Sequence, residues 1–307
     1  MAVRYELRDK MAEVSADEAK RSDVPVVEVI TSDAFRTLTG IERDGVEALR
    51  SLEASETSFV EVYPGFLVGS FAVPDKADPT GDPALFSFYL EDEHLIFIED
   101  GTVAEAILAS IAKSGVMRTM GTAHCLYLFF KTLLVDDLAY LGRLEDTMED
   151  AEEAMIERGA DITTSMIMAY RRASSRLGTY YQQVAAMAAI IADDENKLME
   201  PADARAFTRV SNLADRLANR AEIIKEYGIQ LHELHQTRID LKQNSIMQTF
   251  TIVTVLFAPL TLVTGWFGMN LTVLPGVDWP WMAAALIALA VVTTSGFLIY
   301  FRRRHWL

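Results

Sequence analysis

The chain has 307 residues, with 28 Lys and Arg against 44 Asp and Glu, for a net charge of −16. Beyond position 246 the only charges are Asp278, Arg302, Arg303 and Arg304, a net of +2, so the preceding part carries −18. That acidic excess excludes nucleic acid as a partner and disfavours docking on anionic lipid, both of which need the opposite sign, while it attracts cations.

The first eight residues contain no apolar run, which predicts no secretory leader and a cytosolic N-terminal body. Residues 1–118 read as an α+β domain, an α/β sandwich. Short stretches rich in β-branched and aromatic residues at 26–30, 59–63, 66–73, 85–90 and 94–98 predict strands, the last two forming a hairpin around Glu91-Asp-Glu93. Helical patterns fall at 32–54 and 102–117, and three prolines mark 74–83 as a loop. Cys125 has no second cysteine to pair with and reads as a small core residue.

Residues 119–200 predict a helical hairpin, one helix over 121–157 ending near Gly159 and a second over 162–192 ending at the polar run 193–196. A third helix starts after Pro201, with Asp203 near its first turn where a carboxylate suits the helix dipole. Nothing breaks it before Pro259, so 201–267 is expected as one helix about 100 Å long. Leu217, Ile224 and Leu231 recur every seven residues, which predicts an oligomer or tight packing on the two preceding helices. His232 and His235 stand three apart on this helix, a spacing open either to a transition metal or to an ordinary interface.

Two apolar runs of about 21 residues, 247–267 and 281–301, are each about 31 Å long as helices, the thickness of bilayer hydrocarbon. Trp266, Trp279, Trp281 and Trp306 sit at or near their ends, as in an aromatic belt. The basic tail 302–307 places both termini in the cytosol and the linking segment 268–280 outside, in a cell (inner) membrane. In the first run Met247, Thr251, Thr254, Ala258, Thr261, Gly265 and Gly268 share one face, with Asn244 one step earlier; Phe250, Ile252, Val253, Phe257, Leu260 and Val263 lie opposite. Such a small, hydroxyl-bearing stripe suits either a close helix–helix seam or a pore lining. Neither run holds a charged residue, which disfavours a carboxylate-driven pump. No phosphate-cradling Gly loop and no nucleophile–base constellation occurs, so neither an organic cofactor nor catalytic residues are expected and the chain does not read as an enzyme.

At the outer end of the first run stands Gly268-Met269-Asn270, preceded by Thr264-Gly-Trp-Phe267. With the proline-containing Phe257-Ala-Pro-Leu-Thr261, the acidic body before it and the Arg302-Arg-Arg-His-Trp-Leu307 ending, this resembles the CorA family of magnesium channels. The resemblance implies a funnel-shaped homopentamer in a lipid bilayer, its long helices lining one pore that carries Mg²⁺, and also Co²⁺ or Ni²⁺, down the electrochemical gradient. It implies a selectivity filter of Gly268, Met269 and Asn270, with Asn270 holding the ion through its hydration water. It places Asn244, Thr261 and Gly265 with the rest of the stripe along the pore, and Met247 and Phe250 at an apolar gate. It also implies intracellular Mg²⁺ as a regulatory ligand bridging subunits. Candidate carboxylates are Glu145, Asp146, Glu149, Asp150, Glu152, Glu153 and Glu157 on one helix, Asp193, Asp194 and Glu195 in the following loop, and Glu91, Asp92 and Asp100 at strand edges.

The loop 271–278 departs from the family pattern: it lacks the Glu that helps gather cations, and Asp278 is its one carboxylate. Zn²⁺ transport, known within the same superfamily, remains an alternative, as does a non-conducting two-span sensor or scaffold, although the latter leaves the stripe and the Gly-Met-Asn ending unexplained.

Overall fold

The computed structural model describes residues 3–8, 10–14, 24–36, 57–115, 121–158, 164–193, 197–268 and 281–304. It divides into two compact units, Met1–His232 and Glu233–Leu307. The first contains one seven-stranded sheet of β1 (Val3–Leu7), β2 (Met11–Glu13), β3 (Val26–Ile30), β4 (Phe59–Tyr63), β5 (Phe66–Val73), β6 (Ala84–Leu90) and β7 (His94–Ile98), in the order β2-β1-β3-β7-β6-β5-β4. β3 and β7 pair in parallel, and every other neighbour is antiparallel. The five strands expected from stretches rich in β-branched and aromatic residues are present. β1 and β2 have no counterpart in that reading, because short charged segments carry a weak strand signal; Arg4 of β1 pairs with Glu28 of β3 and supplies part of what their composition lacks.

Alternation sends each strand's residues to two cores. Leu67, Phe71, Phe86, Phe88, Leu95 and Phe97 face the helices, while Phe66, Val68, Tyr89, Ile96 and Ile98 pack on the other side with Phe35 of the short helix α1 (Ser32–Arg36). The rest of the helix expected over 32–54 lies outside the described residues. Gly69 has a steric reason: a Cβ there would stand 2.3 Å from the Phe88 ring and 3.0 Å from the Phe59 carbonyl. Helix α2 (Val103–Ser114) starts on Glu99, whose buried carboxylate accepts N–H bonds from Val103 at 2.6 Å and Ala104 at 2.8 Å. Burial raises the Glu99 pKa, and these amide donors oppose the rise.

The helical layer comprises α3 (Thr122–Leu134), α4 (Asp137–Arg158), α5 (Thr164–Asp193) and α6 (Pro201–Phe267). The single helix expected over 121–157 is two helices, because the chain turns at Val135–Asp136 and restarts at Asp137, whose carboxylate is buried against Lys76 of the β5–β6 loop. Helical periodicity continues across that turn, so only the tertiary contact marks it. α3 joins sheet and long helix through aromatic contacts: Phe97–Phe129 at 4.4 Å, Phe71–Phe130 at 4.9 Å and Phe130–Phe207 at 5.6 Å between ring centroids. His124 Nδ1 meets Asp203 Oδ1 at 2.7 Å, fixing the first turn of α6 to the first turn of α3. Leu217 and Ile224 of the heptad series are buried in the same cluster as Met148 of α4 and Tyr181 of α5. Their spacing thus serves packing on the preceding helices. In the second unit, α6 continues without a break to Phe267, and α7 (Met282–Arg303) follows.

Phe129 is fully buried between strands and helices. Phe129→Ala is expected to cost about 3–5 kcal/mol, read as a lowered midpoint in denaturant unfolding. Cys125 is fully buried and burial pushes its thiol up to about 12. Alkylating reagents at neutral pH should leave it untouched until the chain is unfolded, as mass spectrometry would record.

Candidate functional site

Among the described residues, two helices, the end of α6 and α7, are long and apolar enough to cross a membrane. Hydrocarbon supplies no hydrogen-bond partners, so polar groups in such a segment must be satisfied by the segment itself or face water. The threonines of α6 meet this condition in one way. Thr251 donates its hydroxyl to the Met247 carbonyl at 2.8 Å, Thr254 to Phe250 at 2.8 Å and Thr261 to Phe257 at 2.9 Å. Each hydroxyl proton is therefore consumed inside the helix, and what projects outward is an oxygen with free lone pairs. Such an oxygen accepts from water or coordinates a cation.

Asn244, Met247, Thr251, Thr254, Ala258, Thr261, Gly265 and Gly268 are all exposed in the chain. Ile252 is buried, and Val255, Leu256, Pro259, Leu260 and Val263 are half-buried on the side away from that stripe. Phe250, Val253 and Phe257, grouped opposite the stripe by sequence, are exposed too. Met247 is 63% exposed and Phe250 65% exposed, one helical step apart, so both apolar ends are free to meet other surfaces.

Gly268 closes the helix: its N–H donates to the Thr264 carbonyl at 2.9 Å. A Cβ at this position would stand 2.9 Å from that same carbonyl oxygen, closer than side chains tolerate. A side chain here would therefore force the last turn of α6 to shift. Met269 and Asn270, the rest of the expected filter, lie outside the described residues, as does Asp278.

The acidic helix α4 presents Glu145, Glu149, Glu152 and Glu153 to a crevice of about 720 Å³ whose other wall, on α6, includes Glu226 and Tyr227. Arg220 pairs with Glu145, and the Tyr227 hydroxyl donates to Glu152. Burial, then the Glu152 carboxylate, push the Tyr227 pKa upward. Sequence reading missed Arg220, Glu226 and Tyr227 because they lie on a helix that follows the hairpin, 75 residues from their partners in the two bonded pairs. Asp146, Asp150 and Asp193 are exposed and do not join this crevice, and Asp194, Glu195 and their neighbour Asn196 are outside the described residues. Asp100 caps α1, accepting from the Ser32 amide at 3.1 Å and its hydroxyl at 2.8 Å, and Glu91 accepts from the Tyr89 hydroxyl at 3.2 Å. Asp92 is exposed, and its carbonyl accepts from the Thr122 hydroxyl at 2.8 Å. His232 and His235 are half-buried. Among the described residues of the single chain, no three His, Cys, Asp or Glu converge as a metal site.

A family model described as CorA-like Mg²⁺ transporter protein matches residues 33–303. The cobalt/magnesium transport protein CorA of Thermotoga maritima is 23% identical over 193 residues, covering 63% of this chain and 55% of that protein. The magnesium transport protein CorA of Wolinella succinogenes is 34% identical over 77 residues, 25% of this chain and 24% of that protein. The chain thus spans little more than half the length of the first of these relatives, and less of the second. Among solved structures, the complete CorA magnesium transporter from Methanocaldococcus jannaschii superposes with a TM-score of 0.77 at 18% identity, covering 100% of this chain and 99% of that one. The full-length CmaX protein gives 0.78 at 20% identity over 99% and 97%. These two likenesses establish the fold.

Gly268→Ala should open the last turn of α6. Amide hydrogen exchange at 265–268 is expected to accelerate several-fold, with protection at 250–262 unchanged.

Proposed function

The chain belongs to the CorA-like Mg²⁺ transporter family, and from that membership we propose that it carries hydrated divalent cations into the cytosol through a pore lined by the membrane segment of α6. The observation that carries this reading is the threonine stripe, whose hydroxyl protons are spent on the helix and whose oxygens are left as neutral acceptors. Mg²⁺ gives up its water reluctantly, so acceptors that bind the water shell avoid the cost of stripping it. Several weak sites in series also let the ion leave again.

In this reading five copies surround one axis, and Gly268, Met269 and Asn270 form the outer filter. The Asn270 amide oxygens hold the ion through its water. Asn244, Met247, Thr251, Thr254, Ala258, Thr261 and Gly265 line the path, and Met247 with Phe250 forms an apolar gate that closes by excluding water. Both termini face the cytosol, with Arg302, Arg303 and Arg304 at the inner surface. An inside-negative potential contributes roughly 4–5 kcal/mol per 100 mV for a divalent ion, so no organic cofactor is needed. Mg²⁺ is the first cargo, and the printed name of the Thermotoga maritima relative extends the proposal to Co²⁺; Ni²⁺ has similar size and hydration. Intracellular Mg²⁺ regulates by bridging carboxylates of neighbouring subunits, drawn from Glu145, Asp146, Glu149, Asp150, Glu153, Asp193 and Asp194.

Purified protein in liposomes under an inside-negative potential should admit Mg²⁺, and Asn270→Ala should reduce influx to that of empty vesicles while the oligomer mass is unchanged. Equal influx in both would remove Asn270 from the filter, and none in either would return the chain to a scaffold role. Loading the cytosolic side with Mg²⁺ should suppress influx. A Glu145→Gln, Glu149→Gln, Glu153→Gln triple variant should need more Mg²⁺ for the same suppression.

A further inference from the structure

The β5–β6 loop, residues 74–83, forms a strap with its own internal order. The Ala77 amide donates to Asp75 Oδ1 at 2.8 Å, the Thr80 hydroxyl donates to Asp78 Oδ1 at 2.8 Å, and the Gly81 amide donates to the Asp78 carbonyl at 3.0 Å. Two contacts tie this strap to the helices. Arg176 of α5 donates to the Gly81 carbonyl at 2.5 Å, and Lys76 forms an ion pair with Asp137 in the first turn of α4. Beneath the strap lies a crevice of about 580 Å³ bounded by Pro74, Pro79 and Pro83 on one side and Arg176, Thr179 and Gln183 on the other.

The ion pair is asymmetric. The Asp137 side chain is 1% exposed, whereas that of Lys76 is 41% exposed. A cation reaching in from the surface thus caps an anion sealed in the helical layer. Tyr181 lies close enough to Asp137 to feel its charge, and the Tyr180 hydroxyl is buried without a hydrogen-bond partner among the described residues. The remaining titratable and charged groups around the pair are Asp75 from the strap, Asp136 from the preceding turn, and Tyr140 and Arg143 from α4.

We propose that Lys76 and Asp137 form a proton-released latch that holds the 74–83 strap closed over this crevice. The chemistry is one proton taken from solvent onto an Asp137 oxygen. It removes the negative charge that Lys76 was held by, and the ammonium is then free to return to water. The helical layer itself should not suffer. Burial is the larger influence on Asp137 and raises its pKa, with Lys76 opposing. A carboxyl whose folded-state pKa lies above its unfolded value binds a proton more tightly when folded. Stability from this group therefore grows as pH falls through the raised value towards the ordinary one. Acid loosens the strap and spares the core beneath it. The latch lies wholly in the first unit and is independent of what the membrane helices conduct.

Amide hydrogen exchange on the full chain in detergent, corrected for the intrinsic pH dependence, reads the latch directly. On acidification from about pH 7.5 to the ordinary carboxylate value of about 3.9, protection at Ala77, Thr80 and Gly81 should fall about tenfold, the order expected for losing one charged hydrogen bond, while β5, β6 and α3 keep theirs. Asp137→Asn should show the loosened strap already at the higher pH and no further step on acidification. Lys76→Met gives the same loosened strap at the higher pH without touching the buried position, and it decides the matter if the Asp137 variant does not fold. An unchanged strap in Lys76→Met overturns the latch. So does a pH step that persists in Asp137→Asn, or an acid response spread evenly over the sheet.

Discussion

Hydrocarbon offers a polypeptide nothing to bond with, and the C-terminal part of this protein is shaped by that deprivation. Its two apolar helices satisfy their backbones internally, and the α6 threonines extend the same rule to side chains by returning each hydroxyl proton to the carbonyl one turn back. A side effect is chemical polarity without charge. The stripe presents acceptor oxygens only, which repel anions weakly, welcome water, and suit a cation that travels with its hydration shell. Pro259 belongs to the same logic, because it removes one donor from the helix and leaves the Val255 carbonyl short of its usual partner.

The same helix begins in a different solvent. Phe207, Val210, Ala214, Leu217 and Ile224 of α6 are buried in the core that α3 shares with the sheet, so its first turns are held by apolar packing. Its start is fixed by the His124–Asp203 contact and by the ring contacts that run from β7 through α3.

Acidic composition creates a second problem, that of carboxylates which end up inside. Glu6 and Glu28 pair with arginines, and three others are answered in different ways. Glu99 takes the free amides at the start of α2, Asp137 takes a lysine that reaches in from a loop, and Glu152 accepts from a tyrosine on another helix. The lysine solution caps the most deeply buried of these carboxylates with a half-exposed cation supplied by a loop, and the proposed device sits there. Of the other acidic side chains of α4, Glu145 pairs with Arg220, while Glu149 and Glu153 line the crevice and Asp146 and Asp150 are exposed.

Much of this was present in the order of residues. Two uncharged runs, a stripe at steps of three and four, the Gly-Met-Asn ending and the alternating strands are local properties, because hydropathy and helical or strand period depend only on near neighbours. The continuous helix from Pro201 to Phe267 was legible for the same reason, as nothing in it disfavours propagation. What required the tertiary structure was every feature that joins distant segments. The turn at Val135–Asp136, the crevice wall supplied by Glu226 and Tyr227, the Arg220–Glu145 pair and the Lys76–Asp137 pair all arise where chain-distant side chains meet. Periodicity reports which face a residue occupies but is silent on what packs there, and a buried charge selects its partner only once the fold has brought the two together.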